Sequence, residues 1–429
     1  MIQYVQFATL LWLTCALMIS LRRIISGDRS TILLVFLVFY VFFVLPLLCD
    51  LIWGSPSYLE EPGFAYAERD PAVGAIYCLF VAVVPIIWSR FLKTGKTQAV
   101  QSAEALRKVR KLRLPLVIVL LLPLALIWWA PSPELYLKYG FVVTENVGKT
   151  ATDISQFHSY IMAATFVATI AGAGLVAGAR RPWRCLTLIA PFVAAAVWLN
   201  GKRAVLAVAV VMIMASLWLA GRLRGRRVLI AAAASVLFVA CFSYWYQLYV
   251  RDIGPLTSAK GDLYENLRVD YSRDSRVKMA IFAELHPSSM SILEFRGQSL
   301  LFDATAYIPR TVWPDKPLTY ACYFTSAMIG SSPQDWGWGM TTSVFDEATA
   351  NGSWLGLVAA AFLIGFVCQI GDSCADVIVF LLTAIVASLL LSVELVAFAP
   401  LFVLWLALVL KKKVRLAQAP RICKIAIFS

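Results

Sequence analysis

The chain has 429 residues, of which 60% are hydrophobic and only 15% are charged, and its formal net charge is +13. This composition excludes an ordinary soluble domain, because apolar runs of about 20 residues recur along the chain and each can cross a bilayer. We therefore expect an all-α polytopic integral membrane protein.

About eleven apolar runs are predicted to be membrane helices. In chain order they cover residues 2–21, 32–53, 72–92, 114–130, 154–179, 185–199, 204–220, 228–250, 354–369, 377–391 and 395–410. The last two runs are short enough to form a re-entrant hairpin instead of two spans.

Lysine and arginine are concentrated in a few segments between these runs. Residues 22–30, 90–113, 180–184, 222–227 and 411–429 hold 24 of the 38 basic residues. Positive loops stay in the cytoplasm, so these segments, including the C-terminal tail, are predicted to be cytoplasmic. No basic segment precedes the first run and Arg22-Arg23 follow it, which favours an uncleaved first helix with its N-terminus outside.

The predicted organisation has three parts: eight membrane helices in residues 1–250, one long periplasmic loop in residues 251–352, and C-terminal helices with a basic tail in residues 353–429. The loop has nine basic and twelve acidic residues. The positive excess therefore belongs to the cytoplasmic rim, where it attracts anionic membrane lipids, and nucleic acid is not an expected partner. Within the loop, residues 264–285 are predicted as an amphipathic helix at the interface and residues 300–307 as a second short helix.

Two basic residues stand on the side of the membrane that the other loops leave poor in positive charge. Lys202 and Arg203 follow the flexible Gly201 at the start of an apolar run. One interpretation is that they bind a pyrophosphate at the outer leaflet; the other is that both side chains extend to lipid headgroups.

The long loop presents further cations. Arg310 and Lys316 stand among prolines that cannot continue a helix, beside the interface-seeking Trp313, which indicates a stiff backbone presenting two positive charges. Arg251 and Arg296 are additional candidates for substrate binding. The alternative for all four is a solvated or helix-end cation.

Three residues are candidates for the base that takes a proton from an acceptor hydroxyl. Glu347 lies just ahead of an apolar run, Asp315 lies in the Pro-rich segment, and His286 precedes Pro287 in the loop. A carboxylate near a helix N-terminus, such as Glu347, is also a routine stabilising feature.

Several signatures are absent from the sequence. It contains no Asp-x-Asp pair, no phosphate-binding Gly-x-x-x-x-Gly-Lys loop, no His-Glu-x-x-His and no Cys-x-x-Cys. Metal-bridged nucleotide-sugar transfer, ATP use, zinc hydrolysis and thiol redox thus lose their usual motifs, and we expect no metal and no cofactor.

The loop as a whole resembles a known family. Phe295-Arg296-Gly297-x-Ser299, then Ile308-Pro309-Arg310-x-x-Trp313-Pro314-x-Lys316-Pro317, then Thr341-x-Ser343 with Glu347, Asn351-Gly352 and Gly356 are similar to the Wzy-type repeat-unit polymerases of bacterial O-antigen and capsule assembly. The Gly201-Lys202-Arg203 turn is similar to a second feature of that family. Residues 346–352 depart from the family pattern, which commonly has Gly before the downstream Glu.

The resemblance implies a GT-C-like fold in the bacterial inner membrane and an undecaprenyl-pyrophosphate-linked oligosaccharide as substrate. The expected activity is glycosyl transfer that polymerises repeat units into O-antigen, capsule or exopolysaccharide at the periplasmic face, with a chain-length regulator as a possible partner. The alternatives are an O-antigen ligase, which passes the glycan to lipid A core, and a non-catalytic or transport component of polysaccharide export.

Overall fold

A computed structural model describes residues 2–28, 30–92, 107, 109–140, 152–219, 221–223, 225–249, 263–308, 312–334, 339–374 and 376–418. These described residues form helices and loops and no strand. They fall into two compact units. The first comprises Met1–Ile24, Asp28–Gly95 and Gly261–Ser429, and the second comprises Ile25–Gly27 and Lys96–Lys260.

The helices of the first unit come from both ends of the chain. They are α1 (Ile2–Ile25), α2 (Thr31–Phe39), α3 (Leu45–Trp53), α4 (Pro62–Arg69), α5 (Pro71–Ser89), α11 (Leu263–Tyr271), α12 (Asp274–Leu285), α13 (Gln298–Thr305), α14 (Tyr320–Ile329), α15 (Val344–Ser373), α16 (Val377–Leu390) and α17 (Ala399–Gln418). The second unit contains α6 (Arg113–Ile127), α7 (Thr152–Gly178), α8 (Pro182–Asn200), α9 (Arg203–Leu219) and α10 (Arg226–Tyr249).

Each of the predicted apolar runs contains a helix. Seven helical segments in the described residues are long and apolar enough to cross a membrane: Tyr4–Ile25, Thr31–Trp53, Pro71–Ser89, Tyr160–Gly178, Pro182–Asn200, Arg226–Tyr246 and Val344–Ser373. Three further apolar helices are shorter, Arg113–Ile127, Val205–Trp218 and Ile378–Leu390. The chain is therefore a helical membrane protein, and the count of eleven spans stays a prediction.

The segment Thr31–Trp53 is interrupted at its centre by a π-helical turn, Tyr40–Val44, which joins α2 to α3. Widening of the helix there leaves main-chain carbonyls available for other partners. The carbonyl of Phe42 accepts from the backbone N–H of Arg273 at 2.9 Å, and that of Phe43 accepts from the Tyr77 hydroxyl at 2.6 Å. The start of α12 is thus fixed to the middle of an apolar segment.

Helix α12 runs antiparallel to the first half of α5. The Lys278 ammonium lies 5.4 Å from the ring centre of Tyr77, and eight residues later the His286 ring contacts Asp70, immediately before α5. Phe42 stands eleven residues from either end of Thr31–Trp53, about 16 Å along the helix axis. Helix α12 therefore extends from the middle of the segment Thr31–Trp53 to the start of α5.

The prediction of one amphipathic interfacial helix over residues 264–285 is wrong. The chain forms two helices that break at Ser272 and Arg273, and α12 buries its charges: Arg276 is 1% exposed and Lys278 2% exposed. Glu68 of α4 compensates the Lys278 ammonium, while Arg276 donates to the backbone carbonyls of Thr341 and Ser272. The sequence around 264–285 does not reveal the partners at Glu68 and Thr341. The short helix predicted at 300–307 is confirmed as α13, two residues earlier.

Helix α15 is broken at Ser353, whose φ of 55° and ψ of −147° lie in a region that L-residues rarely adopt. A Cβ added at Gly356 would meet the carbonyl oxygen of Ala348 at 1.9 Å, so the chain on either side of the break is closely apposed. The segment before the break begins with a capping box in which Ser343 and Asp346 bond reciprocally.

The segment before Ser353 reaches the aromatic core of the first unit. The Phe345 ring lies 5.3 Å from that of Phe43 and 5.0 Å from that of Phe80, both edge-on. Phe43 and Phe80 belong to apolar segments of membrane-spanning length. The segment before Ser353 thus packs against two apolar segments of membrane-spanning length.

A side-chain hydrogen bond joins two helices of the second unit near the end of α8. Asn200, at the end of α8, donates through Nδ2 to the Thr165 hydroxyl of α7 at 2.7 Å. Gly201 then ends α8 with φ of 72°, a left-handed conformation that glycine adopts without a steric penalty. Lys202 follows this turn and is exposed.

Candidate functional site

A buried network of charges joins α11 and α12 to the early helices of the first unit. The Arg268 guanidinium, 3% exposed, donates to Asp50 at 2.8 and 3.1 Å and to Asp274, with Nη2 at 2.9 Å. The Lys278 ammonium donates to both oxygens of Glu68 at 2.6 and 2.8 Å. Two cations thus neutralise most of the charge of three carboxylates.

The same three carboxylates, Asp50, Glu68 and Asp274, each offer an oxygen within 4.8 Å of the others. Oxygen donors at that spacing suit a hard divalent cation. Here, however, Arg268 and Lys278 already bond these oxygens, so an ion would have to displace a guanidinium or an ammonium. The arrangement fits an ion-pair network that holds α11, α12 and α4 to the end of α3.

A second polar cluster is built from residues far apart in the sequence. The Ser299 hydroxyl of α13 donates to Oε1 of Glu347 at 2.7 Å. Asn351, one turn after Glu347 on α15, donates through Nδ2 to Ser299 Oγ at 2.7 Å and to the Glu347 carbonyl at 2.8 Å. We call these three residues the Glu347 cluster.

Burial makes this cluster chemically distinctive. Ser299 is fully buried, Glu347 is 7% exposed and Asn351 is 9% exposed. No cation forms an ion pair with Glu347 among the residues that the structure describes. A buried carboxylate that accepts a hydrogen bond on one oxygen and has no counter-ion is suited to take up a proton.

Three more acids act on Glu347 electrostatically: Asp303 of α13, the adjacent Asp346, and Glu394 after α16. Burial raises the pKa of Asp303 to about 6. Burial also raises the pKa of Glu394, and the charge of Asp303 adds to that effect. Burial and neighbouring negative charge thus make these two carboxyl groups weaker acids than usual.

The structure places the other two predicted bases elsewhere. His286 Nε2 lies 2.7 Å from Asp70 Oδ2, and the side chain is 43% exposed. Asp315 is exposed in the segment between α13 and α14. Of the three candidates, Glu347 alone is buried and joined to other residues of the sequence motif.

The predicted substrate-binding cations have different surroundings. Lys316 is 6% exposed, its ammonium donates to the carbonyls of Ala306 and Ile308 at 3.0 Å each, and it lies 4.7 Å from the ring centre of Phe302. This side chain ties the Pro-rich segment to the end of α13.

Arg296 forms a two-pronged ion pair with Glu284 at 3.0 and 3.1 Å and is 57% exposed. Oε2 of Glu284 also accepts from the Ser353 hydroxyl at 2.6 Å. Arg296 therefore supports the break in α15 through this carboxylate. Arg251 and Arg310, as well as the side chain of Arg203, lie outside the described residues. The predicted phosphate-binding role of these cations stays a prediction.

Sequence reasoning missed Arg268, Asp274 and Lys278, and it identified Ser299 and Asn351 only as parts of a motif. One signal was available for the network: Asp50 is a charged residue inside an apolar run, and such residues require a partner. The partner lies 218 positions away.

Comparison of the sequence with family models gave no match, and comparisons with curated proteins and with solved structures gave none either. The functional conclusion therefore depends on the residues and on their geometry.

Proposed function

We propose that the chain is a membrane glycosyltransferase that polymerises undecaprenyl-pyrophosphate-linked oligosaccharide repeat units into O-antigen, capsule or exopolysaccharide chains. It would act at the periplasmic face of the bacterial inner membrane with a cytoplasmic C-terminus, eleven spans and a GT-C-like fold. A chain-length regulator is the proposed protein partner.

One observation carries this proposal. Ser299, Glu347 and Asn351 are separated by up to 52 positions, they belong to the motif that resembles the repeat-unit polymerases, and their side chains form one buried hydrogen-bonded cluster. A motif whose polar members meet around a carboxylate that has no ion-pair partner in the described part of the chain is consistent with catalysis.

In the proposed reaction, a hydroxyl of the acceptor repeat unit attacks the anomeric carbon of the donor glycan. The new C–O bond forms as the bond from that carbon to the lipid pyrophosphate breaks, and the pyrophosphate leaves with the electron pair. Glu347 takes the proton of the attacking hydroxyl. Ser299 and Asn351 fix the orientation of this carboxylate, which preserves its geometry between turnovers.

The departing pyrophosphate requires positive charge. Lys316 holds the Pro-rich segment through the carbonyls of Ala306 and Ile308. Arg310 of that segment is the proposed cation, and Lys202, Arg203, Arg251 and Arg296 are further phosphate-binding candidates. Each effective contact is expected to lower the barrier by about 2–4 kcal/mol, or roughly 30- to 1000-fold in rate. Arg203→Ala and Arg310→Ala, each measured by itself, should therefore abolish polymer while membrane insertion is retained.

The decisive experiment supplies purified protein with lipid-linked repeat units alone, without nucleotide or divalent metal. A ladder of longer lipid-linked chains is the expected result. Growth only after lipid A core is added would identify a ligase instead, and growth only with added metal would remove the proposed role of the cations.

The role of Glu347 is tested with Glu347→Gln, which keeps the acceptor for the Ser299 hydroxyl and removes the proton-accepting oxygen. Ladder formation should fall about 10²- to 10⁴-fold, the usual contribution of a general base. Glu60→Gln, an exposed acid of the same unit, is the matched control and should retain activity. Equal rates in both variants would exclude Glu347 as the base.

A further inference from the structure

Three rings form a row where α4 meets the last turn of α12. The rings of Tyr66 and Phe282 are stacked, with centres 6.3 Å apart and planes at 19°. The centres of Phe282 and of His286, which directly follows the end of α12, are separated by 4.7 Å. Together with Asp70, which contacts His286, we call these residues the ring ledge.

The ring ledge is open to its surroundings at both ends. Tyr66 is 54% exposed and the His286 side chain 43% exposed, whereas Phe282 is half-buried between them. Asp70 holds one imidazole nitrogen at 2.7 Å, which fixes the ring plane and leaves Nδ1 without a partner among the described residues. Preset rings lose little conformational entropy when a ligand binds.

Its position is also informative. Asp70 caps the first turn of α5 by accepting from the backbone N–H groups of Ala72 and Val73, and α5 is a segment of membrane-spanning length. The ring ledge therefore lies at an edge of the apolar layer. A glycan attached to a lipid emerges from the bilayer at this depth.

We propose that the ring ledge binds a sugar ring of the lipid-linked glycan, which places it as a glycan subsite beyond the Glu347 cluster; this inference rests on the proposed function. The apolar face of a pyranose packs on Tyr66 and Phe282 as an aromatic pair does, by offset stacking. His286 Nδ1 and the Asp70 carboxylate bond the sugar hydroxyls at the rim. A lone interfacial tyrosine anchored in lipid headgroups would need neither the stacked partner nor the fixed imidazole.

Direct binding is measured by saturation-transfer NMR on the full chain in nanodiscs. The probes are the free monosaccharides glucose, galactose, rhamnose and N-acetylglucosamine, each tested singly. Transfer to ring protons of at least one sugar is expected, with a loss of affinity of about threefold to tenfold in Tyr66→Ala. His286→Gln should weaken binding as well, whereas Tyr307→Ala, which removes another highly exposed tyrosine, should match the native chain.

The polymerisation assay separates this inference from the proposed function. If a ladder forms, Tyr66→Ala should raise KM for the acceptor more than it lowers kcat. The proposal that the ring ledge binds sugar is overturned if Tyr66→Ala forms a ladder with unchanged KM, or if none of the four sugars gives a saturation-transfer signal. Neither result contradicts the polymerase proposal. If a sugar shows a saturation-transfer signal that depends on Tyr66 but the protein forms no ladder, the polymerase proposal is overturned instead.

Discussion

Replacing Arg268 by alanine should strongly destabilise the first unit. The substitution removes one of the two cations that pair with Asp50, Glu68 and Asp274, and it leaves Lys278 as their one remaining ion-pair partner among the described residues. Arg268 is 3% exposed, and its two main partners are 9% and 0% exposed, so water cannot replace the lost bonds. Breaking a buried pair in this way costs about 3–5 kcal/mol.

The matched control is Arg296→Ala, since this arginine also forms a two-pronged pair with one carboxylate but is 57% exposed. An exposed pair contributes about 1 kcal/mol or less. Unfolding of both variants in mixed micelles with increasing dodecyl sulfate, followed by tryptophan fluorescence, gives the two free-energy differences under the same conditions.

A double variant tests the charge argument itself. Arg268→Met with Asp274→Asn removes one cation and one anion. The double variant should lose about 0.5–3 kcal/mol less unfolding free energy than the sum of the losses in the two single variants. If Arg268→Ala costs no more than Arg296→Ala, or if the double variant is additive, the network does not stabilise the fold as described.

Three further outcomes are expected. Gly356→Ala should lower the melting temperature, because its Cβ would meet the Ala348 carbonyl oxygen at 1.9 Å, while Gly352→Ala, with no atom within 4 Å, should melt like the native protein. Burial raises the pKa of Asp303 from 3.8 to about 6, so its contribution to stability is complete below pH 3.8 and is lost as the pH rises through 6. Relative to Asp303→Asn, the native chain should therefore lose stability between pH 3.8 and 6. Parallel curves of stability against pH for the two proteins would contradict this. Phosphatase fused after Trp336 should be active, and β-galactosidase should be active only in the C-terminal tail; the reverse pattern would invert the topology.

The positions of the helices could be predicted well because hydropathy is a local property. Each apolar run from 2–21 to 395–410 contains a helix, since a chain in lipid must satisfy its backbone hydrogen bonds within the segment. Burial of the charged helix α12 could not be predicted in this way. The charge of its Lys278 is compensated by Glu68, which lies 210 positions earlier.

The candidate site was partly within reach of the sequence. Glu347 was identified as a possible base because it precedes an apolar run, but the sequence does not reveal its contact with Ser299, 48 positions earlier. The break at Ser353 could not be predicted either. That break has no strong sequence signal, since a serine there adopts a backbone conformation in which glycine is expected. Lys316 shows the opposite problem: a lysine among prolines indicates an available cation, whereas its ammonium bonds two backbone carbonyls.

The bond between the Phe42 carbonyl and the Arg273 N–H has a consequence for biogenesis. The two residues are 231 positions apart, which corresponds to about 10 to 50 seconds of synthesis. During most of that interval the Phe42 carbonyl and the Asp50 carboxylate have not yet met the partners that α11 and the start of α12 supply, whereas the Phe43 carbonyl can already bond Tyr77. A nascent chain that stops before α11 therefore retains polar groups without these hydrogen-bond partners within lipid. Pulse-chase labelling should show that it is degraded faster than the full-length chain.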